Sequence, residues 1–326
     1  TTTTTLYLKL VAAGMIVLGK THTVEFAYGG WGTNQQLGTP WNPWDATTHR
    51  TPGGSSSGTG VAVGARMAPW GIGTDTGGSV RIPAAWNGIT GLKTTIGRIS
   101  VHGVLPLSPT LDTPGPITRS VEDAATLFCL LQGFDPLDHR TAGHRDSDPW
   151  PTLRRGVKGL RLGGFPAAER ADVDAEVLAA FDRSVEFLAS SGAEIVDIAL
   201  PMRLADLGGI NGRIMSAEAY AALAELVDDP ASPLDEDVRP RVRAGASISS
   251  RDYLTALMKR EQLKRVYTEA NKDLDDVLTP TVVTPAIPVA SIDQNTTPGM
   301  LTRWVNFLAM CARAVRNGFT AGGLTL

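Results

Sequence analysis

The sequence predicts an α/β fold, and three observations carry that reading. Residues 160–201 run strand, helix, strand, the order that builds a parallel sheet. Residues 203–275 then carry nearly continuous helical signals. With 326 residues, 42% of them hydrophobic and 19% charged, the chain can bury a sizeable core, and it shows no internal repeat or low-complexity linker. The expectation is one domain over 1–326, with a helical insertion at about 203–275.

The elements follow in order. Residues 6–13 (LYLKLVAA) read as a helix closed by Gly14, and MIVL (15–18) as a short buried strand. Residues 28–60 are rich in Gly, Thr, Asn, Pro and Trp with little periodicity, which predicts a compact loop region. Loops of that length inside a domain are usually functional or disordered, and Trp31, Trp41 and Trp44 speak against disorder. GVAVGARMA (60–68) reads as a tightly packed helix, and PWGIGTDTGGSVRIPAAWNG (69–88) as a short strand with a glycine turn. A helix is predicted over 120–133, with Ser120 as N-cap and Asp123 three residues on. The polar, Pro-rich stretch 134–159 is a surface crossover. LRLGGF (160–165), the amphipathic 171–192 closed by Gly192, and AEIVDIALP (193–201) form the strand–helix–strand unit. The helix at 248–274 starts from Ser249 or Ser250, and DDVLTPTVVTP (275–285) reads as a buried strand.

Composition excludes several function classes. A net charge of −3 leaves no basic footprint for nucleic acid and no polybasic membrane patch. No stretch reaches the ~20 apolar residues of a membrane span. The N-terminal segment lacks a basic n-region and is broken by Lys9 and Gly14, unlike a secretory signal. Cys129 and Cys311 read as two buried thiols of a reducing, cytoplasmic compartment. The histidines show no metal-ligand spacing, and His139 and His144 fall in a polar loop where solvated side chains are the default; no metal or cofactor is expected.

Chemistry concentrates in TPGGSSSGTG (51–60), GTDTGGSVR (73–81) and GLKTTIGR (91–98). Glycine-rich backbone can approach a ligand closely, and successive N–H groups can converge on one oxygen. In TDTGGS the amides of Thr76, Gly77, Gly78 and Ser79 suit an oxyanion hole beside the Ser79 hydroxyl. Ser55, Ser56 and Ser57 supply further hydroxyls. Either cluster alone is ordinary loop material. Together they imply a hydroxyl-rich pocket but leave open which serine attacks, since no His–Asp pair stands at a triad spacing. Residues 14–21 formally match GxxxxGK[ST], but the match puts a strand where a phosphate loop needs flexible backbone, and it reads as chance. Glu218, Asp228–Asp229 and Asp275–Asp276 read as solvated charge, Met215 and Met258 as core, and the tryptophans as packing rather than pocket lining.

The run from GGSSSG (53–58) through GTDTGGSVRIPAAWNGITGLKTTIGR (73–98) resembles the diagnostic stretch of the amidase signature family. VAAGMIVLGKTHTVEFAYG, GTNQQLGTPWNPWD and DTPGPITRSVEDAA resemble its flanks, and DDVLTPTVVTPAIP and WVNFLAMCARAVRNGFTAGGL, more weakly, its C-terminal half. The resemblance covers nearly the whole chain, with its core motif at 51–98. It implies an α/β/α sandwich whose large, mixed, mostly parallel sheet lies between helices, with pieces missing at both ends.

It also implies a Ser–cis-Ser–Lys mechanism on a linear carboxamide. Ser79 matches the nucleophile, and Ser55 the bridging serine after a cis peptide bond. Thr76, Gly77 and Gly78 would line the oxyanion hole, and Asp75 and Arg81 would hold the loop. The family's lysine base sits several tens of residues ahead of the GGSSSG turn, before residue 1 here, and Lys9, Lys20 and Lys93 do not match it. The expectation is therefore a fragment, an incomplete chain or a defective paralogue. The rival readings are an amidase-fold binding protein without its base and a component of an amidotransferase. The expected partner is a small-molecule amide, with a homodimer kept as an option and no direct nucleic-acid or membrane contact.

Overall fold

The computed structural model describes residues 2–326. Helix α1 (Thr5–Ala12) starts on Thr4, whose side chain accepts from the Tyr7 amide, and is followed by Gly14 at φ 81°. Its buried Leu6 and Leu10 pack with Ile99, Leu127 and Leu131. Lys9 is not free in solvent: its ammonium donates to the Leu131 and Gln132 carbonyls. Residues 15–18 depart from expectation. They form no strand, and Ile16 and Leu18 are 86% and 77% exposed. The GKT that follows opens no helix, so the phosphate-loop match lacks the helix N-terminus that would bind phosphate.

Helix α2 (Ser57–Gly64) begins inside the serine cluster, three residues before the predicted start. Strand β1 (Trp70–Asp75) then rises into the glycine turn, and helix α3 (Arg81–Asn87) leaves it, ending on Gly88 at φ 67°. Strands β2 (Thr90–Lys93) and β3 (Thr113–Thr118) complete a central antiparallel group in the order β1-β3-β2. β3 carries Pro114 and Pro116, yet sits between two partners. Its pairing with β2 covers only Ile117 and Thr118, beyond both prolines, so that ladder needs no N–H from either. Helix α4 (Val121–Leu131) is capped by Ser120 Oγ, which accepts from the Asp123 amide.

The predicted strand–helix–strand unit is present as β4 (Arg161–Gly164), α5 (Ala175–Ser190) and β5 (Glu194–Asp197), with β4 and β5 parallel. Helices α6 (Leu204–Val227), α7 (Val238–Arg243) and α8 (Ser250–Ala270) fill the helical region, and Ser249 caps α8. Strand β6 (Asp276–Val277) joins β4 in parallel but is only two residues long and not buried, shorter than the 275–285 strand expected. Helix α9 (Arg303–Phe307) and strand β7 (Ala312–Ala314) follow, and β7 pairs with β2. Strands of both senses thus occur, in a four-stranded antiparallel and a three-stranded parallel sheet.

The main core joins α6 (Leu207, Ile214, Leu223, Val227) to α7, α8 and α9. Each such side chain contributes roughly 1.5–3 kcal/mol by leaving water. Met258, read as core, is 73% exposed on α8. The two cysteines are free but not the buried pair expected: Cys129 is half-buried and Cys311 exposed. No helix among the described residues is long and apolar enough to cross a membrane.

Candidate active site

β1 delivers the chain into TDTGGS, and α3 carries it away. Between them, Asp75 is fully buried and organises the turn. Its carboxylate accepts from the Gly78 amide at 2.8 Å and the Val80 amide at 3.2 Å. It also accepts from Arg81 Nε and Nη2, both at 3.0 Å, and from Asn306 Nδ2 at 2.9 Å. Burial pushes the Asp75 pKa up, but the Arg81 charge and hydrogen bonds, Lys93 and Asn306 outweigh it and hold the carboxyl at about 2. Arg81 is 3% exposed and completes its bonding on Asn306 Oδ1 and the Thr302 carbonyl. Asp75 and Arg81 therefore fasten the loop to residues 302–306, far along the chain.

Gly78 adopts φ 133°, and a Cβ there would meet Thr302 Oγ1 at 2.2 Å, so only glycine fits. The Gly78 N–H is already spent on Asp75. No described residue accepts from the amides of Thr76, Gly77 or Ser79. The Gly77 carbonyl is held by Thr302 Oγ1 at 2.6 Å, and Thr76 Oγ1 donates to Asp112 Oδ1 at 2.6 Å. Burial raises Asp112 to about 6, against the hydrogen bonds from Thr76, Ser108 and Leu107.

Ser79 lines a cavity of about 70 Å³, together with residues 27–31, Thr76, Gly77, Ile82, Leu107, Met215, Arg241, Thr296, Thr297, Gly299 and Arg303. Ser55 is 1% exposed, and the Gly54–Ser55 peptide bond is cis. The two serine segments meet through the Ser56 amide, which donates to the Ser79 carbonyl at 3.4 Å. The Ser55 turn is further tied to the cavity wall by Val24 N–H donating to Ser55 O and Gly54 N–H donating to Gly30 O. That wall is strained: Phe26 and Ala27 stand at φ 50° and 60°, a left-handed conformation that costs L-residues about 1–3 kcal/mol each.

Neither the Ser55 nor the Ser79 hydroxyl bonds to another described side chain, and none of the three candidate lysines reaches them. Lys93 is buried and donates to the Thr94 and Met310 carbonyls. Burial, partly offset by Asp75, lowers its pKa to about 7. Among the described residues the one serine with a histidine partner is Ser57, 3.0 Å from His22 Nδ1, but it opens α2 and does not line the cavity.

Several side chains around the cavity escaped the sequence reading. Arg241, Arg303, Tyr28 and Thr297 line the cavity, and Asn306 and Thr302 build the loop's support. Trp31, read as packing, both stacks on Trp86 at 5.6 Å and faces the cavity, and Met215 is core and lining at once. Glu218 is not solvated as expected: it accepts from Ser108 Oγ, the Thr110 amide and Tyr253 OH. The Asp pairs at 228–229 and 275–276 are exposed, as read.

The profile of the Amidase family matches residues 1–320. The chain belongs to the amidase signature family. It is 41% identical over 316 residues to the 2-amino-5-chloromuconic acid deaminase of Comamonas testosteroni, covering 95% of this chain and 64% of that protein. It is 32% identical to the A-type subunit of the glutamyl-tRNA(Gln) amidotransferase of Geobacter sp. (strain M21), over 98% of this chain and 71% of that one. A chain of an inhibitor-bound vestigial protein complex, described as revealing the evolutionary origins of an s-triazine catabolic enzyme, superposes with a TM-score of 0.90 at 29% identity, covering 98% of this chain and 71% of that one. The chain thus spans about two thirds of the length of the amidase-family relatives it matches.

Proposed function

We propose that this chain cleaves a linear carboxamide through an acyl-enzyme on Ser79. The observation that carries the reading is Ser79 lining the cavity, on a loop whose Thr76 and Gly77 amides are unengaged, with the Ser55 turn bonded to it through the Ser56 amide. Ser79 Oγ attacks the amide carbon as its proton passes to Ser55, and Ser55 in turn gives its own proton to a neutral base. The family resemblance gives that base as a lysine. The oxyanion falls to the amides of Thr76, Gly77 and Ser79, with Gly78 serving through its conformation. Collapse of the tetrahedral intermediate returns a proton through Ser55 to the leaving nitrogen and releases ammonia or an amine. Water then attacks the acyl-Ser79 ester, giving the carboxylate and restoring the hydroxyl.

The deaminase relative at 41% identity supports release of the nitrogen. The amidotransferase relatives support a second use, in which the nitrogen passes to another acceptor, and free ammonia in the product separates the two. Cavity walls drawn from residues 27 to 303 support reading 1–326 as one domain. The free cysteines support a cytoplasmic location.

The test is fluorophosphonate labelling with peptide mapping. The adduct is expected on Ser79, absent from Ser79→Ala and slowed at least 100-fold in Ser55→Ala. A folded protein that takes no label at Ser79 overturns the proposal.

A further inference from the structure

The cavity above Ser79 carries two guanidinium groups and no carboxylate. Its lining includes Arg241 and Arg303 but no Asp or Glu, and neither arginine enters an ion pair with any described residue. Arg303 spends Nη2 on Thr297 Oγ1 at 3.0 Å, and its Nε and Nη1 have no acceptor among the described residues. Arg241 is held by neutral acceptors only, the Tyr28 and Gln294 carbonyls and Gln294 Oε1. Both are partly buried. An arginine stays charged in a protein, and burying an unpaired charge is costly. Two such groups in one small cavity repel each other unless an anion lies between them.

Arg303 is also placed against the reacting loop. A Cβ built on Gly77 would lie 3.4 Å from Arg303 Cγ and 3.8 Å from its Nε. That side chain therefore borders the loop that carries Ser79, within the same cavity. We propose that the substrate is a short anionic carboxamide, its carboxylate held by Arg303 with Arg241 behind it. This rests on the amidase reading above and names its substrate class. Burial, opposed by Tyr28 and reinforced by Arg241, lowers the Arg303 pKa, in keeping with a cation lacking its counter-ion.

The test compares succinamate with succinamide, a neutral amide of equal length, by thermal-shift titration and by ammonia release. Fluorophosphonate labelling of Ser79 runs in parallel with each variant. Succinamate is expected to bind about 30- to 150-fold more tightly than succinamide, the range of a charge-assisted hydrogen-bonded pair. Arg303→Leu is expected to reduce that ratio to below about threefold, and Arg303→Lys to restore part of it. Without ligand, Arg303→Leu should unfold no earlier than the wild type, since it removes a buried unpaired charge, so a lost ratio reports the anion site and not misfolding. Equal binding of the two amides by the wild type, or equal loss of both in Arg303→Leu, overturns the anionic-substrate assignment. Preference for succinamate without Ser79 labelling upholds the anion site while overturning the hydrolase reading, so the two failures are distinct.

Discussion

Replacing Asp75 by asparagine removes the charge from the most buried ion pair in the described chain. Asp75 is 0% exposed and Arg81 3%. The substitution leaves Arg81 one amide oxygen in place of two carboxylate oxygens, beside Asn306 Oδ1 and the Thr302 carbonyl. An asparagine amide also points two donors into a cage that already holds the Gly78 and Val80 amides, Arg81 and Asn306, all donors. Breaking a buried pair by removing one partner costs about 3–5 kcal/mol, because the remaining charge stays buried. For 326 residues the unfolding entropy is about 0.7 kcal/mol per degree, so Tm should fall by about 4–7 °C. The Gly78 and Val80 amides bond to different carboxylate oxygens, so the same change releases one of them, and fluorophosphonate labelling of Ser79 should slow by at least tenfold at a temperature where the variant is folded. The double variant Asp75→Asn, Arg81→Met removes the stranded charge as well, and should recover at least about 2 kcal/mol over the single variant. The assay is thermal unfolding with labelling kinetics on the three proteins. A single variant within about 1 kcal/mol of wild type, or a double variant no more stable than the single, would refute the account of Asp75 as the charge that holds the loop.

The same carboxylate predicts an acid limb. Its folded pKa of about 2 lies below the ordinary 3.8, so its stabilisation is complete above about pH 4 and is lost as pH falls from about 4 towards 2. That is roughly 2–3 kcal/mol, and wild type and Asp75→Asn should converge in denaturant midpoint over this window; parallel profiles would contradict it. Gly78→Ala, at φ 133° and 2.2 Å from Thr302 Oγ1, should lose more than about 2 kcal/mol and nearly all Ser79 labelling. Gly77→Ala meets nothing closer than 3.4 Å and should keep near-normal stability, so equal damage in the two variants would count against the steric argument.

What could be read from sequence was local. Ser120 and Ser249 were recognisable caps because the groups they bond lie three residues away. The β4–α5–β5 unit was readable from its periodicity. MIVL was misread because a short apolar run does not state its environment, and nothing packs on Ile16 or Leu18. Helix α3 is too brief to show a period, although Gly88 marks its end. In the site, Ser55, Ser79 and the TDTGG turn stood out through family resemblance. Arg241, Arg303, Asp112 and Asn306 did not, because only folding brings them to the serines. Glu218 looked solvated for the same reason: the partners that bury it come from 108–110 and 253.

The cage around Asp75 also sets a clock. Arg81 and its partner Asn306 are 225 residues apart. On a ribosome adding about 5–20 residues each second, the serine loop emerges some 10–45 s before the segment that locks it. Until residues 302–306 arrive, the Gly77 carbonyl lacks Thr302 and Asp75 lacks Asn306. The nascent protein therefore carries its hydroxyls without their geometry. A translation product that stops short of residue 302 would release an inert chain rather than a promiscuous hydrolase.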